Sequence, residues 1–212
     1  MGPRGPRPSF SIDSPLTRVG KDLSATKRRL RDEMGLRRRL VKPSDASRAA
    51  ELAARALVGL DSVKRAGRIG MYAALPDEMP TRVLFDAVVA LGTVALFPRT
   101  RTDGSLEFCV VDRWEELSSG AYGVLEPAPA RRAEGFDSDD LVVVPGVAFD
   151  ASGNRLGRGK AYYDRTFPPD SASSPVLIGY GYEFQVLDRV PHGNRDRRLD
   201  AIVTERAVRR CQ

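Results

Sequence analysis

One short segment constrains the fold of this chain more than any other. Residues 141–144 read Leu-Val-Val-Val and are followed directly by Pro145 and Gly146. A strand with one solvent-exposed face alternates apolar and polar residues, whereas every residue of this run is apolar. The run therefore predicts a short strand that is buried on both faces. Such strands are typical of parallel sheets flanked by helices, so the segment favours an α/β fold.

The chain alternates between helix-like and strand-like patterns. Helices are predicted at residues 24–41, 44–60 and 81–91. Ser24 is a suitable N-cap for the first helix, and Pro43 ends it. Strands are predicted at residues 68–74, 93–97, 106–111, 141–144, 176–180 and 201–204. Strands interleaved with helices imply a mainly parallel sheet covered on both sides. We therefore predict a single domain with a three-layer α/β/α fold.

The positive charge of the chain is confined to its amino end. Residues 1–42 carry twelve Lys/Arg and four Asp/Glu, whereas the other 170 residues carry 22 and 24, a net charge of −2. A general polyanion binder would spread its excess over the folded body, so we expect no nucleic-acid partner. A basic tail that binds nucleic acid is the alternative. Residues 1–20 are rich in Pro, Gly, Ser and Arg and predict a disordered tail, leaving residues 21–212 as the single folded domain.

Two further features indicate a cytoplasmic protein. Cys109 and Cys211 are the only cysteines, and we expect both to be free thiols in a reducing compartment. No apolar run approaches the roughly 18 residues of a membrane-spanning helix, and the amino end lacks the apolar core of a secretory signal. We therefore expect no membrane association.

A segment suited to binding polyphosphate follows the strand at residues 141–144. Residues 153–164 read GNRLGRGKAYYD. Glycines let backbone N–H groups approach phosphate oxygens, cations neutralise charge and a carboxylate can hold a metal. A Walker A loop is excluded, because Asn154 lies five residues before Gly159 and Ala161 follows Lys160 where a hydroxyl is needed. The Rossmann pattern is excluded because Tyr162 occupies the position of its third glycine.

This segment resembles the signature of the 5-formyltetrahydrofolate cyclo-ligase family. The matching pattern is Pro-Gly-x-x-Phe-Asp, followed by Gly-x-Arg-Leu-Gly-Arg-Gly-Lys-x-Tyr-Tyr-Asp. The resemblance implies an α/β/α enzyme that uses MgATP to close 5-formyltetrahydrofolate to 5,10-methenyltetrahydrofolate. Ala161 departs from the pattern, since the family usually has glycine there. If this position needs a positive φ, alanine weakens the site. A degenerate member that binds nucleotide or folate without turnover is therefore an alternative.

The first predicted helix carries two cations at the edge of its apolar stripe. The apolar residues within a narrow arc are Leu23, Leu30, Met34 and Val41. Lys27 and Arg31 border this stripe and can reach a phosphate in a neighbouring cleft, or they can be surface charges whose stems cover apolar residues. The resemblance favours the first alternative, because family members have a Lys-x-x-x-Arg pair on this helix that contacts ATP.

Glu78 follows the first predicted strand, in the segment YAALPDE at residues 72–78. A carboxylate there can accept paired hydrogen bonds from the N–H edge of an aminopyrimidine. Without the resemblance, the position of Glu78 just before Pro80 predicts a solvent-exposed acid in a turn. The resemblance implies that Glu78 contacts folate and that Ala73 lines the same pocket.

Two aspartates are candidates for holding Mg²⁺, which takes one or two protein carboxylates when it is bound to nucleotide. The resemblance implies that the metal is held by Asp164, at the end of the loop, and by Asp196, in the segment PHGNRDRRLD at residues 191–200. Family members commonly have a proline between two aspartates here, whereas this chain has Arg197 and Arg198. Asp200 is therefore a competitor, although its position before a strand suggests a structural role.

ATP binding is expected at Lys27, Arg31 and the loop, where Arg155 and the backbone of residues 157–161 are the candidates for holding the triphosphate. The loop residues concerned are Arg155, Leu156, Gly157, Arg158, Gly159, Lys160, Ala161, Tyr162 and Tyr163. We expect Arg158 and Lys160 to stabilise charge that moves onto the formyl oxygen. Tyr162 or Tyr163 is expected to orient the substrate or a base, and Tyr162 is assigned both to catalysis and to the folate site. The expected enzyme is a monomer with ATP and Mg²⁺ as cofactors.

Overall fold

The computed structural model of the chain describes residues 15–120, 123–129, 131–169, 174–193 and 196–212, with side chains from residue 22 onward. The helices of these ranges are α1 (Pro15–Arg39), α2 (Pro43–Val58), α3 (Asp61–Arg65), α4 (Arg82–Ala90) and α5 (Tyr162–Thr166). The strands are β1 (Arg68–Gly70), β2 (Val94–Thr100), β3 (Leu106–Val110), β4 (Leu117–Ser119), β5 (Leu125–Pro127), β6 (Leu141–Pro145), β7 (Ala148–Asp150), β8 (Arg155–Leu156), β9 (Val176–Tyr180), β10 (Val186–Leu187), β11 (Ala201–Val203) and β12 (Val208–Arg210).

A mainly parallel sheet forms the centre of the fold, as predicted. Within the described residues it has seven strands in the order β12-β11-β9-β6-β1-β2-β3. The inner pairs β11–β9, β9–β6, β6–β1 and β1–β2 are parallel. The edge strands β3 and β12 run antiparallel to their neighbours. The predicted strand at residues 141–144 is β6, the middle strand of the sheet.

Strand β6 is buried on both faces. Leu141 is 1% exposed, and Val142, Val143 and Val144 are 0% exposed. Leu141 and Val143 pack into a core formed with α2, α3 and α4, whereas Val142 and Val144 pack into a second core with Phe149 and residues around α5. The sheet is therefore covered on both sides, and the predicted α/β fold class is confirmed.

The first helices begin at positions that differ from the prediction. Helix α1 begins at Pro15, so Ser24 lies inside it and is not its N-cap. Residues 15–20 of the predicted tail therefore lie within α1, and residues 1–14 lie outside the described residues. Pro43 is the first residue of α2, after Lys42 as N-cap. Proline fits there because its missing N–H would have no partner in the first turn.

Several short elements were not predicted. Strand β1 ends at Gly70, so it is shorter than the predicted strand at residues 68–74. Met71, Tyr72 and Ala73 are buried, but apolar residues indicate burial and not strand pairing. Strands β7, β8 and β10 form a separate small sheet, and β4 pairs with β5. Each has only two or three residues, which is too short for a periodic pattern.

No helix among the described residues is long and apolar enough to cross a membrane. Cys109 and Cys211 are both free, as expected from the sequence. Cys109 is buried in the antiparallel pair β2–β3, and Cys211 is half-buried after β12.

Candidate active site

A cavity of about 470 Å³ lies where the central strands end. Its walls include Tyr72 and Ala73, which follow β1, and Pro145 and Gly146 at the end of β6. In a parallel sheet, ligands bind in the crevice beyond the carboxyl ends of the strands. Residues 155–164 line another part of the same cavity. Every residue that the sequence assigned to the site, from Lys27 to Asp196, lines it as well.

Ala161 adopts the left-handed conformation, with φ 53° and ψ 28°, at the start of α5. It is the only non-glycine residue with a positive φ among the described residues. For an L-residue other than glycine this conformation costs roughly 1–2 kcal/mol, because Cβ approaches the following carbonyl oxygen. The position thus favours the glycine that the family usually has, and alanine carries strain in the loop.

Helix α1 brings its two predicted cations to the loop. Lys27 Nζ donates to Asp196 Oδ2 at 2.9 Å, and Arg31 Nε donates to the carbonyl oxygen of Gly157 at 2.9 Å. Met34, one turn further along, is 1% exposed and anchors the helix in a small core. Lys27 and Arg31 therefore lie at the cavity edge and are not solvent-facing surface charges.

The two predicted metal ligands each have a cationic partner. Arg155 Nη2 donates to Asp164 Oδ1 at 2.9 Å, with both side chains largely buried. Asp196 accepts from Lys27 and from the backbone N–H of Gly193 at 2.8 Å. Partial burial opposes ionisation of Asp196, but these hydrogen bonds hold its pKa below the ordinary value. Both aspartates line the cavity with carboxylate oxygens that could hold a cation.

These two carboxylates suit a nucleotide-bound metal better than a metal held by protein alone. No group of three or more His, Cys, Asp or Glu residues that could hold an ion occurs in the described part of the chain. Magnesium often takes one or two carboxylates and completes its shell with phosphate and water, which fits Asp164 and Asp196. Asp200 does not line the cavity. Its Oδ2 accepts from the backbone N–H of Leu177 at 2.8 Å, which is a structural role.

Glu78 is not the solvated turn acid that its sequence position alone suggested. Its side chain is only 10% exposed. Oε2 accepts from the backbone N–H of Leu75 at 3.0 Å, and Oε1 accepts from Arg158 Nε at 3.1 Å. Ala73, 3% exposed, lies in the same wall. The carboxylate is therefore fixed in orientation beside the cavity.

Arg158 connects the loop to this wall. Besides Glu78, it contacts Asp77, whose Oδ1 accepts from Nη2 at 2.6 Å. Desolvation works against the charge, yet the two carboxylates raise the pKa of the Arg158 guanidinium above its ordinary value. On the far side of Asp77, Oδ2 accepts from Nη2 of the buried Arg38 at 2.7 Å. Arg38 was not predicted as a site residue, although it lies seven residues after Arg31 and so on the same helix face.

The remaining loop side chains line the cavity in different ways. Lys160 is exposed, and its carbonyl oxygen accepts from Arg165 Nη2. Tyr162 is half-buried under the Arg165 guanidinium, which lies 5.7 Å from the ring centroid. Desolvation raises the pKa of Tyr163 well above its ordinary value. Tyr163 thus stays protonated and can donate a hydrogen bond at neutral pH.

One further part of the cavity lining was not predicted. It is formed by the ends of β2 and β3 and by the β4–β5 pair. Its lining residues are Pro98, Thr100, Leu106, Val124 and Glu126. Glu126 Oε1 accepts from the backbone N–H and the hydroxyl of Thr100, at 3.3 and 3.1 Å. No motif marks these residues, since only the packing of the hairpin against β2 brings them to the cavity.

The chain is similar to proteins of known family. It matches the model of the 5-formyltetrahydrofolate cyclo-ligase family over residues 23–205. A probable 5-formyltetrahydrofolate cyclo-ligase of Schizosaccharomyces pombe is 31% identical over 166 residues, covering 72% of this chain and 81% of the relative. The 5-formyltetrahydrofolate cyclo-ligase of Mus musculus is 24% identical over 193 residues, covering 86% and 95%. The NMR structure of 5,10-methenyltetrahydrofolate synthetase from Aquifex aeolicus has a TM-score of 0.75 and 30% identity, covering 88% of this chain and 93% of that chain.

Proposed function

The chain belongs to the 5-formyltetrahydrofolate cyclo-ligase family, and we propose that it converts 5-formyltetrahydrofolate to 5,10-methenyltetrahydrofolate with MgATP, releasing ADP and phosphate. One observation supports the ATP and Mg²⁺ dependence above all. Lys27, Arg31 and Asp196, from opposite ends of the chain, meet the 155–164 loop around one cavity. The proposed catalytic domain is residues 21–212.

The lining residues suit the two substrates in different parts of the cavity. Lys27, Arg31 and Lys160 supply positive charge for the triphosphate, beside the carboxylates of Asp164 and Asp196 that are proposed to hold Mg²⁺. The loop positions 155–163 supply backbone N–H groups and cations for the same phosphates. Mg²⁺, when bound, neutralises charge on the phosphate oxygens.

Glu78, Ala73 and Tyr162 form the proposed folate side of the cavity. The fixed carboxylate of Glu78 can accept hydrogen bonds from the aminopyrimidine N–H edge of the pterin. Ala73 leaves room beside it because its side chain is a single methyl group. Tyr162 is proposed to orient the substrate from the loop.

The chemistry explains why cations are needed between the two substrates. The formyl oxygen is a poor leaving group, and transfer of the γ-phosphoryl group of ATP onto it creates a good one. N10 then attacks the activated carbon and loses its proton to solvent, and release of phosphate leaves the methenyl bridge between N5 and N10. Phosphoryl transfer is catalysed mainly by positioning and charge neutralisation, which are the proposed roles of Arg158 and Lys160. No covalent bond to the protein is required.

Turnover of the purified protein tests the proposal. The protein is incubated with 5-formyltetrahydrofolate, ATP and Mg²⁺, and methenyltetrahydrofolate and ADP are quantified. We expect equal amounts of both products, and neither product when ATP is omitted or Mg²⁺ is chelated. Folded protein that forms no methenyltetrahydrofolate under these conditions would contradict the proposed function.

A degenerate enzyme is the second candidate, and the strained backbone of Ala161 is the observation that favours it. In that case the native protein binds ATP or folate without turnover, and Ala161→Gly restores product formation. Normal turnover by the native protein excludes this candidate. The proposed location is the cytoplasm, whose reducing conditions suit the free thiols of Cys109 and Cys211, and the proposed assembly is a monomer.

A further inference from the structure

Two arginines and two acids form a quartet beside the cavity: Arg38, Asp77, Glu78 and Arg158. Glu78 and Arg158 line the cavity, and Asp77 and Arg38 lie next to them. Asp77 lies between the arginines, accepting from Arg38 Nη2 at 2.7 Å and from Arg158 Nη2 at 2.6 Å on different oxygens. Glu78 Oε1 accepts from Arg158 Nε at 3.1 Å. The quartet is neutral overall, with two positive and two negative groups.

The two arginines of the quartet differ in their freedom to move. The Arg158 side chain is 45% exposed and belongs to the loop proposed to bind phosphate. The Arg38 side chain is 3% exposed and projects from α1. A ligand can therefore draw Arg158 away from the wall, whereas Arg38 is held by its packing.

Two nitrogen atoms of the Arg38 guanidinium are available for further hydrogen bonds. Its Nε and Nη1 are buried without a hydrogen-bond partner among the residues that the structure describes, which is uncommon for buried polar atoms. Nη1 lies 3.9 Å from Glu78 Oε1, a distance that suits an ion pair but is too long for a hydrogen bond. Oε1 is also the atom that loses its donor if Arg158 leaves. A small shift of the Glu78 side chain would then satisfy both groups.

We propose that Arg38 is a positioning residue that holds Asp77 and Glu78 in place while Arg158 leaves them for the substrates. This rests on the proposed function, in which Glu78 contacts folate and Arg158 contacts the reacting groups. Without Arg38, the quartet keeps two carboxylates and a single arginine. Glu78 then lacks a cation to orient it when Arg158 moves.

A crystal structure of the Arg158→Ala variant without ligands tests the exchange directly. We expect Glu78 Oε1 to move within hydrogen-bonding distance of Arg38 Nη1, while the Asp77–Arg38 contact persists. A Glu78 side chain that turns to solvent, or that stays 3.9 Å from Nη1, overturns the proposal. This test needs no substrate, so it decides the role of Arg38 even if the native protein neither binds nor converts folate.

Binding measurements test the consequence for the substrates. Arg38→Gln, Arg38→Lys and the control Arg39→Gln, an exposed neighbour on α1, are compared with the native protein by calorimetry with 5-formyltetrahydrofolate and with MgATP separately. We expect Arg38→Gln to weaken folate binding by about tenfold or more, with MgATP binding unchanged within about twofold. Arg38→Lys should recover part of the loss, and Arg39→Gln should bind both ligands normally.

Equal losses of folate and MgATP affinity in Arg38→Gln would show a merely structural role and overturn the proposal, as would unchanged folate affinity. If Arg38→Gln does not fold, the double variant Arg38→Gln/Asp77→Asn replaces it, because the unpaired carboxylate is then removed as well. Weak folate binding by that variant supports positioning of Glu78 by Arg38, and native binding excludes it.

Discussion

Lys27 Nζ lies 2.9 Å from Asp196 Oδ2, although 169 positions separate the two residues along the chain. The contact joins helix α1 to the segment before β11, and both side chains are mostly buried at the cavity. It places one proposed phosphate-binding cation directly beside one proposed metal ligand.

Lys27→Met should weaken the use of ATP selectively. Charge-assisted hydrogen bonds are worth about 1.5–3 kcal/mol, so the KM for ATP should rise roughly tenfold or more. The KM for 5-formyltetrahydrofolate should change little, because Glu78 and Ala73 are untouched. Steady-state kinetics with each substrate varied in turn measures the difference. Arg28→Met, an exposed residue of the same helix, is the matched control. Equal increases of both KM values would contradict the assignment of Lys27.

Asp196→Ala and Asp200→Ala should separate a metal ligand from a structural acid. Asp196→Ala should raise the Mg²⁺ concentration for half-maximal activity by about tenfold, because one proposed ligand is lost. Asp200→Ala should leave that concentration unchanged and lower the free energy of unfolding by about 1 kcal/mol, since the N–H of Leu177 loses its acceptor. Magnesium titrations and urea unfolding check both. The reverse pattern would assign the metal to Asp200.

Ala161→Gly should stabilise the protein. Glycine adopts the left-handed conformation without the strain that alanine carries, which favours the folded state. Glycine also adds conformational entropy to the unfolded chain, which opposes folding, and the net stabilisation is up to about 1 kcal/mol. The control Ala87→Gly, in the interior of α4, should instead lower the free energy of unfolding by about 1 kcal/mol. Urea unfolding measures both signs. A destabilising effect of Ala161→Gly would show that position 161 carries no strain in solution.

Glu183 should make stability depend on pH in the acidic range. Its carboxylate accepts from Thr204 Oγ1 at 2.7 Å and from Arg209 Nη1 at 2.9 Å. Desolvation opposes ionisation, but these partners lower the pKa of Glu183 in the folded protein. The group therefore stabilises the fold fully above the unfolded-state pKa of about 4.3 and loses this effect as pH falls through its lower folded-state pKa.

Glu183→Gln should accordingly be less stable than the native protein at pH 7, by about 1–2 kcal/mol, and this difference should shrink as the pH falls below about 4.3. Urea unfolding of both proteins from pH 7 to pH 3 provides the measurement. A difference that stays constant over this range would mean that the charge of Glu183 does not contribute.

The parts of the fold that were predicted well have strong local patterns. Residues 176–180 were predicted as a strand and form β9, and the apolar run at 141–144 forms the central strand β6. The missed strands β7 and β10 consist of two or three residues whose pairing depends on distant neighbours. Their pattern is too short for any period to be visible in the sequence.

For a similar reason, some residues of the candidate site could be predicted from the sequence and others could not. The loop residues and the pair Lys27 and Arg31 could be assigned from the signature and the helix period. Arg38 continues the same helix face but was overlooked because it lies outside the signature. The burial of Glu78 could not be predicted, since it depends on Arg38 and Arg158 from distant parts of the chain.

By itself, the sequence determined the α/β class, the central buried strand and the loop at its end, because each depends on residues that are adjacent or one helical turn apart. Only the tertiary structure decided which charges meet. It brought Asp196, and not Asp200, to the cavity, gave Ala161 a positive φ and placed Arg38 behind Asp77. Ion pairs and backbone strain depend on distances between segments that are remote in the chain, and packing alone sets those distances.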